Sequence, residues 1–114
     1  MTLLQAGDYR HDWYGYACNQ AGHAAIVGMP AALVLVPFLG PIWTPIVVAA
    51  VYGLVWEWLI QRGGMWADSV EDTAHVMAGA SAICGALVGY WTAAACVAAW
   101  LCLLALGIAR RWRA

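Results

Sequence analysis

A chain of 114 residues is one domain by length, but apolar residues make up 65% of it and charged residues 10%, against about 45–50% and about 25% in soluble domains. The medium around it is therefore expected to be lipid. Five arginines, no lysine and a net charge of −1 argue against a nucleic-acid partner, because neutralising a phosphate backbone takes a field of cations.

Residues 1–20 mix Asp8, Arg10, His11 and Asp12 with Trp13, Tyr14 and Tyr16. They lack the apolar centre and cleavage site of a secretory signal, and amphipathic rings beside charges suit a short segment lying in the headgroup region. Residues 21–39 are apolar apart from His23 and long enough for a first membrane-spanning helix. Pro30 beside Gly28 predicts a kink in its middle. Gly40-Pro41 forms a tight turn into a second span over 43–61, which closes on Glu57, Gln61 and Arg62. After a loop over 63–67, Asp68 or Ser69 can cap a third helix over 69–90, with Glu71 and Asp72 three residues on, as in a capping box. A fourth span over 93–109 ends in Arg110, Arg111 and Arg113.

The expected fold is thus all-α: a polytopic membrane protein with four transmembrane helices in a compact bundle, one domain over 1–114 with a short interfacial segment at its start. Small residues at Ser81, Gly85 and Gly89, and at Ala74, Ala78 and Ala82, let helix backbones approach closely; packing within the chain is the favoured reading over a contact between copies. Cys18, Cys84, Cys96 and Cys102 show no CxxC spacing and read as buried packing groups. With four spans, both termini and the middle loop share one side, and all five arginines fall there. The positive-inside rule makes that side the cytoplasm of a bacterial inner membrane.

The polar chemistry gathers in residues 57–75, EWLIQRGGMWADSVEDTAH, which hold four of the six acids. On a helix, Asp68, Asp72, His75 and Gly79 form one stripe, with Glu71 on an adjoining one. The first span adds Asn19 and His23, four apart. If the helices bundle in sequence order, one mouth collects Asn19, His23, Glu57, Gln61, Arg62, Asp72 and His75. An ionisable group at membrane depth costs about 2.5–3.5 kcal/mol at the centre, so each is expected to face the bundle with a partner.

Several readings of this set stay open. The groups can simply satisfy one another as pairs and caps. His23, Glu57, Asp72 and His75 are the ligand types for a divalent metal such as zinc, manganese or iron, and Glu57 and His75 can serve as catalytic base or ligand. His23 and His75 can also be imagined as axial ligands of a haem. Asn19, His23, Gln61, Arg62 and Asp72 are the candidate ligand-binding residues, with Arg62 suited to hold an anionic group bidentately.

The order His23, Glu57, Gln61, Arg62, Asp72, Gly79 resembles the pattern of small polytopic bacterial membrane proteins of the VanZ-like group, over residues 19–89. That family's Asn would fall at Val76, with His75 beside it, and Glu57 and Gln61 are four apart where the family tends to three. The resemblance implies a membrane protein linked to cell-envelope lipid or glycopeptide response. The chain is also similar to small phage lysis-region proteins in which NQxGH, here Asn19-Gln20-Ala21-Gly22-His23, precedes apolar helices and a carboxylate-rich turn. That likeness implies a holin-like role, in which helices oligomerise and permeabilise the membrane. A third reading, an accessory subunit of a larger membrane complex, needs a protein partner instead. The expected partners are therefore the bilayer and either further copies or another membrane protein.

Overall fold

The structure, a computed structural model, describes residues 9–55 and 66–113, with side chains from residue 69 onward in the second stretch. These residues form three helices and no strand: α1 (Trp13–Val55), α2 (Trp66–Val88) and α3 (Tyr90–Trp112). The all-α expectation holds, while the division into four separate apolar spans is corrected. Among the described residues two helices, α1 and α3, are long and apolar enough to cross a membrane. The two expected spans before residue 61 run together as α1, and α2 carries Glu71, Asp72 and His75 in its first half, which makes it the most polar of the three.

Helix α1 starts at Trp13, inside the stretch read as an interfacial segment. Asp12 makes this possible by capping it: its Oδ1 accepts the Gly15 N–H at 2.8 Å, satisfying one of the donors orphaned at a helix start. The kink expected at Pro30 takes another form. The turn before it, His23–Gly28, widens to a π-helix, and the Met29 N–H reaches the Ala24 carbonyl, five residues back. Widening relieves the clash between a proline ring and the preceding turn without breaking the helix.

The break comes at Gly40, at φ 77° and ψ 168°, the one left-handed φ among the described residues. Thr44 closes it, its Oγ1 donating to the Gly40 carbonyl at 2.6 Å. His23 and Tyr52 show that the chain reverses here. They are 29 residues apart, about 44 Å along a straight helix, yet their rings meet edge to face with centroids 5.7 Å apart. Residues 41–55 therefore return alongside 13–39, as the expected tight turn requires.

Helix α2 is the central element. Its Val76, Ala80 and Cys84 form one buried stripe that packs on Ala32 of the outgoing limb of α1 and on Val48 and Tyr52 of the returning limb. Two glycines permit the close crossing. A Cβ on Gly28 would overlap the Val76 carbonyl, and one on Gly79 would overlap the Ala24 carbonyl, so each backbone seats on the other, as in small-residue packing between membrane helices. The start of α2 at Trp66 is earlier than expected and puts Asp68 and Ser69 inside its first turn rather than at its cap.

Gly89, in extended conformation at φ 165°, joins α2 to α3. A Cβ on Gly85 would lie 3.1 Å from Cys96 Sγ and 3.2 Å from the Thr92 carbonyl, so this part of the small-residue stripe packs within the chain. The cysteines do not all match their reading as buried groups. Cys84 is buried and Cys96 half-buried, while Cys18 and Cys102 face outward.

Candidate functional site

The start of α1, the start of α2 and the end of α3 meet at one end of the molecule. The rings of Trp13 and Trp112 meet at a tilt with centroids 5.1 Å apart. Glu71 accepts from Arg110 through Oε1 and from Arg111 through Oε2, the latter at 3.0 Å. Arg111 also donates to the carbonyls of Tyr9 and Gly107, at 3.0 and 3.1 Å, and its guanidinium lies 3.6 Å over the Tyr16 ring. Planar stacking with several N–H donors in use is the geometry to which arginine is suited.

Behind this lock three helical stripes converge. Tyr16, Gln20 and His23 lie on one face of α1; Asp72, His75 and Gly79 on one face of α2; Trp100, Gly107 and Arg111 on one face of α3. The Tyr16 phenol lies against Gly107, where a Cβ would overlap its ring. From there it reaches His75.

His75 is completely buried and bonded at both ring nitrogens. Trp100 Nε1 donates to Nδ1 at 3.0 Å, and Nε2 faces the Tyr16 hydroxyl at 3.3 Å. An indole N–H can only donate, so Nδ1 is the acceptor; the neutral ring then carries its proton on Nε2 and donates it to the Tyr16 oxygen. An imidazolium would set one N–H against another.

One turn toward the charged end, Asp72 joins α2 to α1. Its Oδ1 accepts from Gln20 Nε2 at 2.6 Å, and its Oδ2 lies 3.7 Å from His23 Nε2. Gln20 is 3% exposed, and among the described residues its buried Oε1 has no hydrogen-bond partner. The side chains of Asp72 and His23 keep 16% and 15% of their exposure, so the cluster opens at their edge.

Of the residues singled out in the sequence, His23 and Asp72 come together and Gly79 lies on the same interface. His75 is turned to Tyr16 and Trp100 instead. Asn19 is half-exposed, and its neighbour Gln20 occupies the inward position. Glu57, Gln61 and Arg62 lie outside the described residues, so the base or ligand role of Glu57 and the anion-holding role of Arg62 have no geometry to report. Among the described residues no three of His, Cys, Asp and Glu converge as a metal site. For His75 to ligate a metal or a haem it would have to release Trp100 or Tyr16.

The sequence reading gave no place in the site to Tyr16, Gln20, Glu71, Trp100, Arg110 or Arg111. Two signals for them were present: Tyr16, Gln20 and His23 recur at helical spacing, and Trp100 stands deep in an apolar run, away from the interfacial belt in which tryptophans collect. No protein-family model, curated protein or solved structure matches the chain.

Proposed function

We propose that this chain is a multi-pass protein of a bacterial or phage inner membrane, with both termini cytoplasmic, whose charged end binds a polar ligand between α1 and α2. One observation carries the reading: the usual distribution of side chains is inverted. Gln20, Thr44 and His75 are buried, while Phe38 is 83% exposed, Trp91 is 81% exposed, and Ile26, Leu33, Ile42, Leu87 and Leu106 also face outward. Large apolar faces on every helix with polar groups inside suit hydrocarbon as solvent. Trp91 and Trp112 stand 21 residues apart on α3, about 32 Å, the spacing of two interfacial belts around a core of about 30 Å. In this reading the two limbs of α1, α2 and α3 make four crossings, and α2 crosses because its polar face is turned to its neighbours.

The ligand-binding part draws support from the concentration of polar groups at one end and from the meeting of His23, Asp72 and Gly79, three residues of the VanZ-like pattern. It is tested by purifying the protein in mild detergent after alkaline extraction of membranes and measuring retained phospholipid. The protein is expected to stay in the membrane through the alkaline wash and to carry lipid, and Asp72→Asn to lose it. Release by the wash, or retained lipid that Asp72→Asn leaves unchanged, overturns the reading.

A second reading has its own observation. Ala94, Ala98, Cys102, Ala105 and Ala109 form an exposed small-residue stripe along α3, the type of surface on which membrane helices associate. It suits a holin-like protein that oligomerises and permeabilises the membrane. Inducible expression separates the two: abrupt loss of membrane potential favours the pore, continued growth the ligand site.

A further inference from the structure

We infer that the ligand received at the charged end is a primary ammonium group, held by Gln20 Oε1 together with the Asp72 carboxylate; this rests on the ligand-binding reading above. Gln20 is fixed in orientation. An ionised carboxylate only accepts, so the amide must turn Nε2 toward Asp72 Oδ1, 2.6 Å away, and a flipped amide would set oxygen against oxygen. Its Oε1 is thereby committed to a buried position with no donor on it among the described residues. A buried acceptor left unmade is costly enough that native interiors almost always supply a partner.

The missing partner must donate, and a positive charge suits the neighbouring carboxylate. Hard divalent cations gather six or more oxygens, several of them carboxylate, and among the described residues no three metal-type side chains converge. A primary ammonium has three N–H donors and is satisfied by two protein acceptors with water or lipid oxygen at the third. Access and depth agree with this. Asp72 and His23 keep part of their side-chain surface exposed beside the buried Gln20, and the adjoining Glu71 is tied to arginines in the last turn of α3, which sets the cluster at headgroup level. Such a group arrives either as the ethanolamine of a phospholipid or as a free small amine.

Headgroup selectivity decides the matter. The thermal midpoint of the detergent-purified protein is followed during titration with ethanolamine and, at equal ionic strength, with choline, whose nitrogen has no N–H. In parallel it is compared in nanodiscs of phosphatidylethanolamine and of phosphatidylcholine. Ethanolamine or its phospholipid is expected to raise the midpoint and the choline forms are not. Gln20→Met should weaken the ethanolamine response about tenfold, the loss of one hydrogen bond from a charged donor, while Cys18→Ala, at an outward-facing position, leaves it unchanged. A response to the phospholipid alone identifies a lipid headgroup, and a response to the free amine identifies a soluble one. Equal effects of ethanolamine and choline, or an unchanged response in Gln20→Met, overturn the proposal; the wild-type comparison is decisive even if that variant does not fold. Lipid retained without headgroup preference rejects the ammonium and leaves the binding reading standing, whereas no retained lipid and no amine response rejects both.

Discussion

Trp100 donates its indole N–H to Nδ1 of His75 across 3.0 Å, and that bond sets which way a fully buried imidazole faces. With Nδ1 occupied as acceptor, Nε2 is left to donate to Tyr16 at 3.3 Å, and the three side chains pin α1, α2 and α3 to one another. Trp100→Phe keeps most of the ring and removes the donor, stranding a buried acceptor at a cost of about 1–3 kcal/mol. Tyr16→Phe should cost less, because its bond is longer. SDS-induced unfolding of both single variants and the double variant is the measurement. A double-variant loss smaller than the sum of the singles is expected of partners that share one ring, and full additivity would falsify the linked arrangement.

The crossing of α1 and α2 predicts opposite effects for the same substitution at different glycines. Gly28 and Gly79 face the carbonyls of Val76 and Ala24, backbone atoms that cannot swing aside. Alanine at either should lower the unfolding midpoint, overpacking of about 1–3 kcal/mol outweighing its better helix propensity. Gly22 has nothing within 4 Å of an added Cβ and helical torsions. Alanine there should raise stability by up to about 1 kcal/mol. A thermal melt of the three variants tests the ordering.

Much of the helical content was legible because long apolar runs punctuated by Gly-Pro and Gly-Tyr leave few alternatives. What sequence periodicity does not encode is how closely two limbs follow one another across a one-residue break. Gly40 separates two runs in composition and breaks the helix, and Thr44 ties the returning limb directly to the break. The site was half legible. His23 and Asp72 stood out because ionisable groups at that depth need partners, but Asn19 was chosen over Gln20, since the two adjoin and only the tertiary crossing decides which faces inward. Arg110 and Arg111 were read as a topological tail, because pairing with Glu71 joins residues about forty apart and no local spacing signals it.

The two turns also separate cleanly. Gly40 holds φ 77° with ψ 168°, a region open essentially to glycine alone, where another residue costs about 1–3 kcal/mol. Space is not the obstacle, since nothing lies within 4 Å of its Cβ position. Gly89 is equally uncrowded but extended, at φ 165°, which any residue adopts. Gly40→Ala should therefore destabilise the fold through conformation alone, and Gly89→Ala should be close to neutral in the same unfolding assay.

Arg110 and Arg111 bind the same carboxylate, yet they should differ sharply under substitution. Arg110 is 68% exposed with Glu71 as its partner, and an exposed ion pair contributes about 0–1 kcal/mol and fades with salt. Arg111 is 12% exposed and combines that pair with two carbonyl bonds and stacking on Tyr16. Removing it leaves Glu71 partly buried with less compensation and opens two carbonyls at the helix end, a loss of about 3–5 kcal/mol if the pair behaves as a buried one. Arg111→Lys should recover little of this, because a compact ammonium cannot stack on the phenol and reach the carboxylate and both carbonyls together. Unfolding midpoints at low and high salt test the contrast: the Arg110→Ala effect should vanish in salt and the Arg111→Ala effect persist. Equal, salt-sensitive losses for both would mean that Arg111 acts as a surface charge and that α3 is not tied to α2 through Glu71.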